Sequence, residues 1–144
     1  MIRPIKLEDV SVCAKILKEA YSREPYQEEF TGDNAEKYLL AKYSSCGDSS
    51  FVIEENSEVI AFILLSISFW GKGKQAIIEE IVVNPEFQKK GFGKQLMEYS
   101  IKYFNSLGVN SVMLWVKNNE RLLNFYKKNN FFVADDFVVM FRNQ

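Results

Sequence analysis

The run Gln88-Lys89-Lys90-Gly91-Phe92-Gly93 is the part of the sequence best suited to bind an anion. It follows the apolar stretch 77–83 and precedes a long amphipathic segment, so we expect a strand to end and a helix to begin here. Glycine tolerates positive φ angles and lets a ligand come close to the backbone, and the first amides of a helix have no partner within it. The run therefore predicts a nest for a phosphate or pyrophosphate group.

The glycine run lacks the features of two common nucleotide-binding loops. A phosphate-binding loop of the Walker type needs Ser or Thr after Gly-Lys, whereas Gly93-Lys94 is followed by Gln95. A dinucleotide fingerprint needs a third small residue, and Leu96 stands at that position. Since the same residues could also form a plain tight turn, the flanking sequence has to decide between the two interpretations.

Two adjacent carboxylates, Glu79 and Glu80, interrupt the apolar stretch 77–83. Charged side chains are rare in buried strands unless they are paired or functional. Consecutive residues of a strand point to opposite faces, so we expect at most one of the two to face a cleft. The pair therefore indicates either a role in chemistry or a structural ion pair.

The remaining composition narrows the chemistry and the partners. The 144 residues include no histidine, which removes Ser–His and Cys–His nucleophiles and most zinc sites, so we expect no metal. The two cysteines, Cys13 and Cys46, have no metal-ligand spacing, and we expect buried thiols. Any catalysis must rely on carboxylates, tyrosines, backbone amides and water. A net charge of −1 argues against binding to nucleic acid.

Length and hydropathy predict one cytoplasmic domain, 1–144. The most apolar run, 59–70, is shorter than the roughly 20 residues that a membrane helix needs, and Met1-Ile2-Arg3-Pro4 does not start a signal peptide. Apolar periodicity predicts a mixed α/β (α+β) fold with six or seven strands and about four helices. The predicted helices follow Glu8, Asn34, Gly91 and Asn119, and the predicted strands are 2–5, 51–54, 59–70, 75–83, 111–116, 131–133 and 137–141.

A second motif lies between Asn119 and Phe131. Asn119, Tyr126 and Phe131 fit the pattern Asn-x-x-Ala-x-x-x-Tyr-x-x-x-Gly-Phe, while Leu122 replaces the small residue and Asn130 replaces the glycine. With Gln-x-x-Gly-x-Gly upstream, the chain resembles the GCN5-related N-acetyltransferase (GNAT) family. The resemblance spans nearly the whole chain and is specific over 77–131. It implies a single-domain fold whose mixed, mostly antiparallel sheet is splayed.

The resemblance implies acetyl-CoA as cofactor, with coenzyme A as product, and direct attack by a small-molecule or peptide amine in a ternary complex. The exposed main-chain edge of Ile81, Val82 and Val83 would pair in strand fashion with the pantetheine amides. An amide of Val82 or Val83 would polarise the thioester carbonyl. Lys89, Lys90 and Lys94 would add positive charge near the phosphates, or else they form a solvated helix start. The implied cofactor-binding residues are Ile81, Val82, Val83, Gln88, Lys89, Lys90, Gly91, Phe92, Gly93, Lys94, Asn119 and Tyr126.

The resemblance also implies catalytic roles for three side chains. Glu80, by its position in the family pattern, or else Glu79, would accept the proton of the amine, and Tyr126 would donate one to the departing thiolate. Tyr126 could instead be a core aromatic residue, and Asn119 could be no more than a helix N-cap. The acid-rich stretch 21–37 favours a cationic acceptor or is a solvated loop, and Tyr21, Tyr26, Phe69 and Trp70 are candidates for the acceptor wall.

Two other functions fit the same motifs. A non-catalytic CoA-binding sensor or interaction domain would keep the anion nest without turnover, and a nucleotide-binding regulator would use the Gly91 turn for ATP. Homodimers are common in the GNAT family, so a homodimer stays open.

Overall fold

A computed structural model of the chain describes residues 1–46 and 48–144. Its helices and strands follow the predicted order, with small shifts at their ends. Every helix in the described residues is too short or too polar to traverse a bilayer, and the cytoplasmic location stays a prediction. The elements are β1 Ile2–Pro4, a short 3₁₀ helix Leu7–Asp9, α1 Val10–Ser22, α2 Asn34–Cys46, β2 Phe51–Glu55, β3 Glu58–Trp70, β4 Gly73–Val83, a 3₁₀ turn Pro85–Phe87, α3 Phe92–Ser106, β5 Val109–Met113 and α4 Glu120–Lys127.

The strands form one mixed sheet in the order β1-β2-β3-β4-β5. The first three pairings are antiparallel, as predicted for β2–β3 and β3–β4 from the tight turns. Strand β4 pairs parallel with β5, as predicted from the helix α3 that crosses between them. The mixed α/β class is confirmed. The sheet of the described residues has five strands rather than six or seven.

The missing strands are those predicted over 131–133 and 137–141, and this prediction was wrong. Both stretches have the apolar character of strands, but strands need a hydrogen-bonded partner, and neither stretch pairs with the sheet of the described residues. A turn lies between them, in which the Phe137 amide faces the Ala134 carbonyl at 3.4 Å. The predicted loop 44–50 also begins late, because α2 continues to Cys46.

The core has one layer on each side of the sheet, because side chains alternate along the strands. Helices α1 and α2 cover one face, where Leu17, Leu39 and Leu64 are at most 2% exposed. Helix α3 covers the other face, with Leu96 and Met97 fully buried against the sheet. The predicted helical stripes are confirmed, and both cysteines are buried free thiols.

The parallel strands β4 and β5 separate partway along their length. They pair only between Lys74–Ile77 and Val109–Met113, while β4 continues to Val83 paired with β3 alone. One side of β4 from Ile78 to Val83 therefore faces a gap, which is the splay that the resemblance implied.

A buried ion pair attaches the first strand to α1. The Arg3 guanidinium donates to both oxygens of Asp9 at 2.7 and 2.9 Å, and the Lys6 amide donates to Asp9 Oδ2 at 2.8 Å. The hydrogen bonds from Arg3 lower the pKa of Asp9 against the opposing effect of burial. The Asp9 side chain is only 7% exposed, so this ionised carboxyl depends on its partners.

We predict that Asp9→Asn lowers the free energy of unfolding at neutral pH by about 2–4 kcal/mol, because Arg3 loses its buried counter-charge. The pKa of Asp9 is lower in the folded state than in the unfolded state. The stability that the ionised carboxyl contributes is therefore present above the unfolded pKa of about 4 and is lost as the pH falls through the folded pKa. Urea titrations from neutral to acid pH should show the free energies of unfolding of the wild type and Asp9→Asn converging. Glu8→Gln, at an exposed neighbour, is the control, and an Asp9→Asn protein as stable as the wild type at pH 7 would contradict the assignment.

Candidate functional site

The gap between β4 and β5 is the centre of the candidate site. The glycine run 88–93 lies just beyond the end of β4 and leads into α3, so the run and the unpaired side of β4 adjoin. Gln88 ties them together, because its Nε2 donates to the Val83 carbonyl at 3.1 Å. The sequence order strand, turn and helix is therefore confirmed at this point.

The backbone of the glycine run alternates in handedness. Lys89 has a φ of 61° and Gly91, the N-cap of α3, has a φ of 88°. A non-glycine residue such as Lys89 adopts this conformation at a cost, and such strain is concentrated at functional sites. Alternating right- and left-handed residues turn successive amides toward one side of the chain, which is the geometry of an anion-binding nest.

The amides of the run are available to a ligand. Within the described residues, the main-chain N–H groups from Lys89 to Lys94 have no backbone or side-chain acceptor, whereas Gln88 makes a long bond of 3.4 Å to the Pro85 carbonyl and Gln95 closes the first helical bond, on Gly91. Lys89, Lys90, Gly91 and Lys94 are exposed and Phe92 and Gly93 are half-buried, so water or a ligand can accept from these amides. An anionic group is the partner that these amides suit best.

A pocket of about 320 Å³ opens beside these amides and is bounded by Val83, Phe87, Gly93 and Phe125. A Cβ placed on Gly93 would lie 3.7 Å from Phe125 and Val83, so it would enter the pocket without a clash. Lys90 Nζ lies 5.0 Å from the centre of the Phe87 ring. Lys89 and Lys94 also line the pocket, and Lys94 Nζ lies 3.7 Å from a carboxylate oxygen of Glu98.

The two carboxylates of β4 lie on the same face of the sheet, so the prediction that they point to opposite faces was wrong. The cause is a β-bulge: Leu64 pairs with Glu80 and Leu65 with Ile78, which leaves Glu79 as an extra residue. An extra residue shifts the alternation of side chains by one. Both carboxylates therefore contact residues of the α1–α2 side.

Glu80 is held by two tyrosines from two different helices. Tyr21 of α1 donates to Oε2 at 2.8 Å, and Tyr38 of α2 donates to Oε1 at 2.6 Å. Burial raises the pKa of Glu80, and the two hydrogen bonds offset only part of that rise. Burial likewise raises the pKa of both tyrosines, so they remain proton donors. The result is a carboxyl group whose proton affinity is above that of an ordinary glutamate.

Glu79 is engaged in a different way. Lys42 donates to its Oε2 at 2.7 Å and Ser66 to its Oε1 at 2.8 Å. Burial opposes ionisation of Glu79, but these hydrogen bonds outweigh it and lower its pKa. Glu79 is therefore an ion-paired carboxylate, whereas Glu80 is bound by neutral hydroxyl groups.

Tyr126 reaches the same region from α4. Its ring packs edge-on against Phe125 and Phe131, with centroids 5.1 and 5.8 Å apart, so the ring is part of the core. Burial raises its pKa, with further contributions from Tyr26 and Glu80. The raised pKa keeps the Tyr126 hydroxyl protonated.

Asn119 is the N-cap of α4, since its Oδ1 accepts from the Leu122 amide at 3.3 Å. Asn130 adopts a φ of 64° just after the helix, which explains how it replaces glycine there. Leu122 is half-buried. The motif Asn119–Phe131 thus forms a capped helix with a left-handed end.

Of the four side chains expected to wall the acceptor pocket, two lie near Glu80 and two do not. Tyr21 and Tyr26 stack at 4.3 Å next to Glu80, with Phe30 edge-on to Tyr21. Phe69 and Trp70 are 81% and 76% exposed and pair with Lys74 and Gly73, so they lie at the far end of β3 and β4, and their assignment to the wall was wrong.

Three side chains at the site were missed from the sequence: Tyr38, Lys42 and Ser66. A hydroxyl on the buried stripe of α2, at Tyr38, was the available signal, because a buried hydroxyl needs a partner. Lys42 and Ser66 could not be identified in this way, because only the bulge turns their partner Glu79 toward them.

A model of the acetyltransferase (GNAT) family matches residues 13–131 of the chain. The chain belongs to the GNAT family. An uncharacterized N-acetyltransferase of Methanocaldococcus jannaschii is 35% identical over 88 residues, which cover 58% of this chain and 39% of that relative. The chain spans between 39% and 62% of the length of the curated relatives it matches.

Two solved structures have the same fold as this GNAT chain. A possible acetyltransferase from Clostridium difficile 630 has a TM-score of 0.81 at 21% identity, with 100% of this chain and 96% of that chain covered. A predicted acetyltransferase from Clostridium acetobutylicum, whose crystal structure is with acetyl-CoA, has a TM-score of 0.79 at 15% identity, with 97% and 94% covered.

We predict that Gly93→Ala weakens acetyl-CoA binding at least tenfold while leaving the unfolding midpoint unchanged or slightly higher. The new methyl group narrows the pocket, whereas alanine favours the first turn of α3 by up to about 1 kcal/mol. Gly91→Ala is the contrasting variant, because its φ of 88° makes any Cβ cost about 1–2 kcal/mol of stability. Calorimetric titration and thermal unfolding separate the two effects. Wild-type affinity in Gly93→Ala would show that the ligand does not use this pocket.

Proposed function

We propose that this GNAT chain is an acetyl-CoA-dependent N-acetyltransferase that moves an acetyl group to a primary amine by direct attack in a ternary complex. The observation that carries the proposal is the set of acceptor-free amides from Lys89 to Lys94 beside the unpaired side of β4. An anionic, amide-bearing cofactor matches both features. The half-buried carboxyl of Glu80 lies on the strand that borders the same gap.

The donor set of the site fits acetyl-CoA. The amides of 89–94 would hold the pyrophosphate, the free edge of Ile81, Val82 and Val83 would pair with amides of the pantetheine arm, and Gln88 and Asn119 would support the loop and the helix that border it. Acetyl-CoA would supply a thioester whose acyl carbon is open to attack by an amine. The amide of Val82 or Val83 is the proposed donor to the oxygen that gains negative charge.

Glu80 is the proposed general base. An alkyl amine has a pKa near ~10 and is protonated at neutral pH, so a base must take its proton, directly or through water. A carboxyl with a raised pKa is a better acceptor than an ordinary one, and Glu80 has that property. Glu79 fits the role less well, because Lys42 neutralises it and lowers its pKa.

The two tyrosines would position this base. Tyr21 and Tyr38 each donate to a different oxygen of Glu80, so the carboxyl plane is fixed and the second lone pair of each oxygen stays open. Because they favour the ionised form, they also keep the carboxyl from being protonated permanently by its buried surroundings.

Tyr126 is the proposed acid. Its raised pKa keeps the hydroxyl protonated at physiological pH, and a protonated phenol can donate to a departing thiolate. Its position on α4, packed between Phe125 and Phe131, holds the hydroxyl on a rigid element of the fold.

A cationic amine is the acceptor that the surroundings favour. The exposed acids of 21–37 outnumber the bases by three, five against two, and Arg23 and Lys37 are paired with Glu19 and Asp33. Stacked Tyr21 and Tyr26 add aromatic faces next to the Glu80 carboxylate. A polyamine, an aminoglycoside or a peptide amine has the matching charge.

A non-catalytic CoA-binding sensor is the second candidate, because a nest and a strand edge suffice for binding. The carboxyl of Glu80, held by two tyrosine hydroxyls, favours the enzyme, since cofactor binding alone gives no reason for a half-buried carboxylate with a raised pKa. A panel of amines tested for thiol release from acetyl-CoA separates the two: the sensor predicts binding without release.

We predict that Glu80→Gln and Tyr126→Phe each lower turnover at least tenfold, about 1.4 kcal/mol of barrier, with acetyl-CoA affinity nearly unchanged. Each change removes a proton-transfer group and keeps the shape of the side chain. Glu79→Gln is the matched control and should retain most of the turnover. Thiol-release kinetics give the answer, and equal losses in Glu79→Gln and Glu80→Gln would argue against Glu80 as the base.

We also predict that Tyr38→Phe moves the acid limb of the kcat/KM profile to higher pH. The hydrogen bond from Tyr38 lowers the pKa of Glu80, so its loss raises that pKa, and the base is then protonated over a wider acid range. Tyr43→Phe, which removes a hydroxyl from the same helix, is the control. An acid limb at the same pH as in the wild type, together with a lower rate, would mean that Tyr38 affects only the stability of the fold.

A further inference from the structure

Lys42 pairs with the carboxylate next to the proposed base. Its Nζ donates to Glu79 Oε2 at 2.7 Å, and Ser66 donates to Glu79 Oε1 at 2.8 Å. The Lys42 and Glu79 side chains are 29% and 13% exposed, so water screens their charges less than it screens an ion pair at the surface. The proposed transfer of the amine proton uses Glu80 and gives no role to this half-buried pair.

Helix α2 contacts both carboxylates of β4 from one face. Tyr38 and Lys42 are four residues apart, about one helical turn, so they lie on the same side of α2. Tyr38 donates to Glu80 at 2.6 Å, while Lys42 donates to Glu79, and Lys42 Nζ lies 5.9 Å from the centre of the Tyr38 ring. Two adjacent strand residues meet one helix face in this way because the bulge after Leu64 puts both on the same face of the sheet.

Two charged side chains act on Glu80 in opposite directions. Burial raises the pKa of Glu80, and the hydrogen bonds from Tyr38 and Tyr21 lower it. Beyond these effects, the positive charge of Lys42 lowers the pKa of Glu80 and the negative charge of Glu79 raises it. Because Lys42 and Glu79 form an ion pair of 2.7 Å, their charges offset each other at Glu80.

The tyrosines that interact with Glu80 carry no charge at physiological pH. Burial, more than the charge of any neighbour, raises the pKa of each above the ordinary value of about 10. These residues are Tyr21, Tyr26, Tyr38 and Tyr126. Two of them donate hydrogen bonds to Glu80, but none could replace the positive charge of Lys42.

We propose that Lys42 is a positioning residue: it cancels the negative charge of Glu79, so that Glu80 is the carboxylate of the two that receives the amine and its proton. The inference rests on the proposed role of Glu80 as the base. Without Lys42, two adjacent carboxyl groups would compete for one proton and for the same cationic amine. With Lys42, Glu79 is neutralised and both of its oxygens accept hydrogen bonds.

The pH dependence of kcat/KM in a cycle of charge removals tests this role. Lys42→Gln leaves Glu79 unpaired, so we expect the acid limb, which reports the pKa of Glu80, to move up by about 0.5–1 pH unit. Glu79→Gln leaves Lys42 unpaired, so the acid limb should move down by a similar amount. In the double variant both charges are absent, and the acid limb should return close to its position in the wild type.

The directions of the shifts separate an effect of charge from a loss of structure. Either single change breaks the same ion pair, so structural damage would move the acid limb in the same direction in both variants, or lower the rate without moving the limb. Lys37→Gln, at an exposed lysine of α2 that pairs with Asp33, is the control and should keep the wild-type limb. Shifts of one sign, no shift in either single variant, or a double variant whose limb stays with that of Lys42→Gln would overturn the proposal.

A carbon-13 NMR titration of the Glu80 carboxyl, assigned by comparison with Glu80→Gln, follows the same pKa without turnover. Opposite shifts in the single variants that cancel in the double variant would support the role of Lys42, even in a protein that releases no thiol with any amine, a result that would remove the proposed function. Thiol release together with a Glu80 pKa that is the same in the wild type and both single variants would leave the proposed function standing and overturn the role of Lys42.

Discussion

The separation of β4 from β5 after Ile77 is the constraint on which the site depends. Two parallel strands that stayed paired would use the main-chain groups of 78–83 and leave no room for a ligand. Because they separate, one side of β4 is open, and the glycine run at its end adjoins the same gap. Helix α3, which follows the glycine run, packs Leu96 and Met97 against the sheet.

The bulge at Glu79 has a second, local effect. It places two carboxylates on one face of the sheet, where the helices α1 and α2 give them different partners. Lysine and serine make Glu79 a paired anion, and two tyrosines make Glu80 a carboxyl of higher proton affinity. Adjacent residues of one type thus acquire different acid–base properties from their surroundings alone.

Much of this could be predicted because it is local. Gly91 and Asn130 have positive φ angles that their residue types allow, Asn119 caps α4, and the apolar stripes of α1 and α3 are buried. The rest depends on pairing between distant residues. The bulge arises from the register of Leu64 and Leu65 against β4, and 137–141 is not a strand because it has no hydrogen-bonded partner in the sheet of the described residues. Local residue propensities determine neither the register of a strand nor its pairing partner.

The central claim is that the main-chain N–H groups from Lys89 to Lys94 bind a diphosphate. The most direct measurement is an amide NMR titration of the protein with coenzyme A, with pantetheine as the comparison that lacks phosphate. The account predicts that coenzyme A shifts the amide resonances of 89–94 and slows their hydrogen exchange, while pantetheine leaves them unchanged. Amides of 89–94 that do not respond to saturating coenzyme A would contradict it.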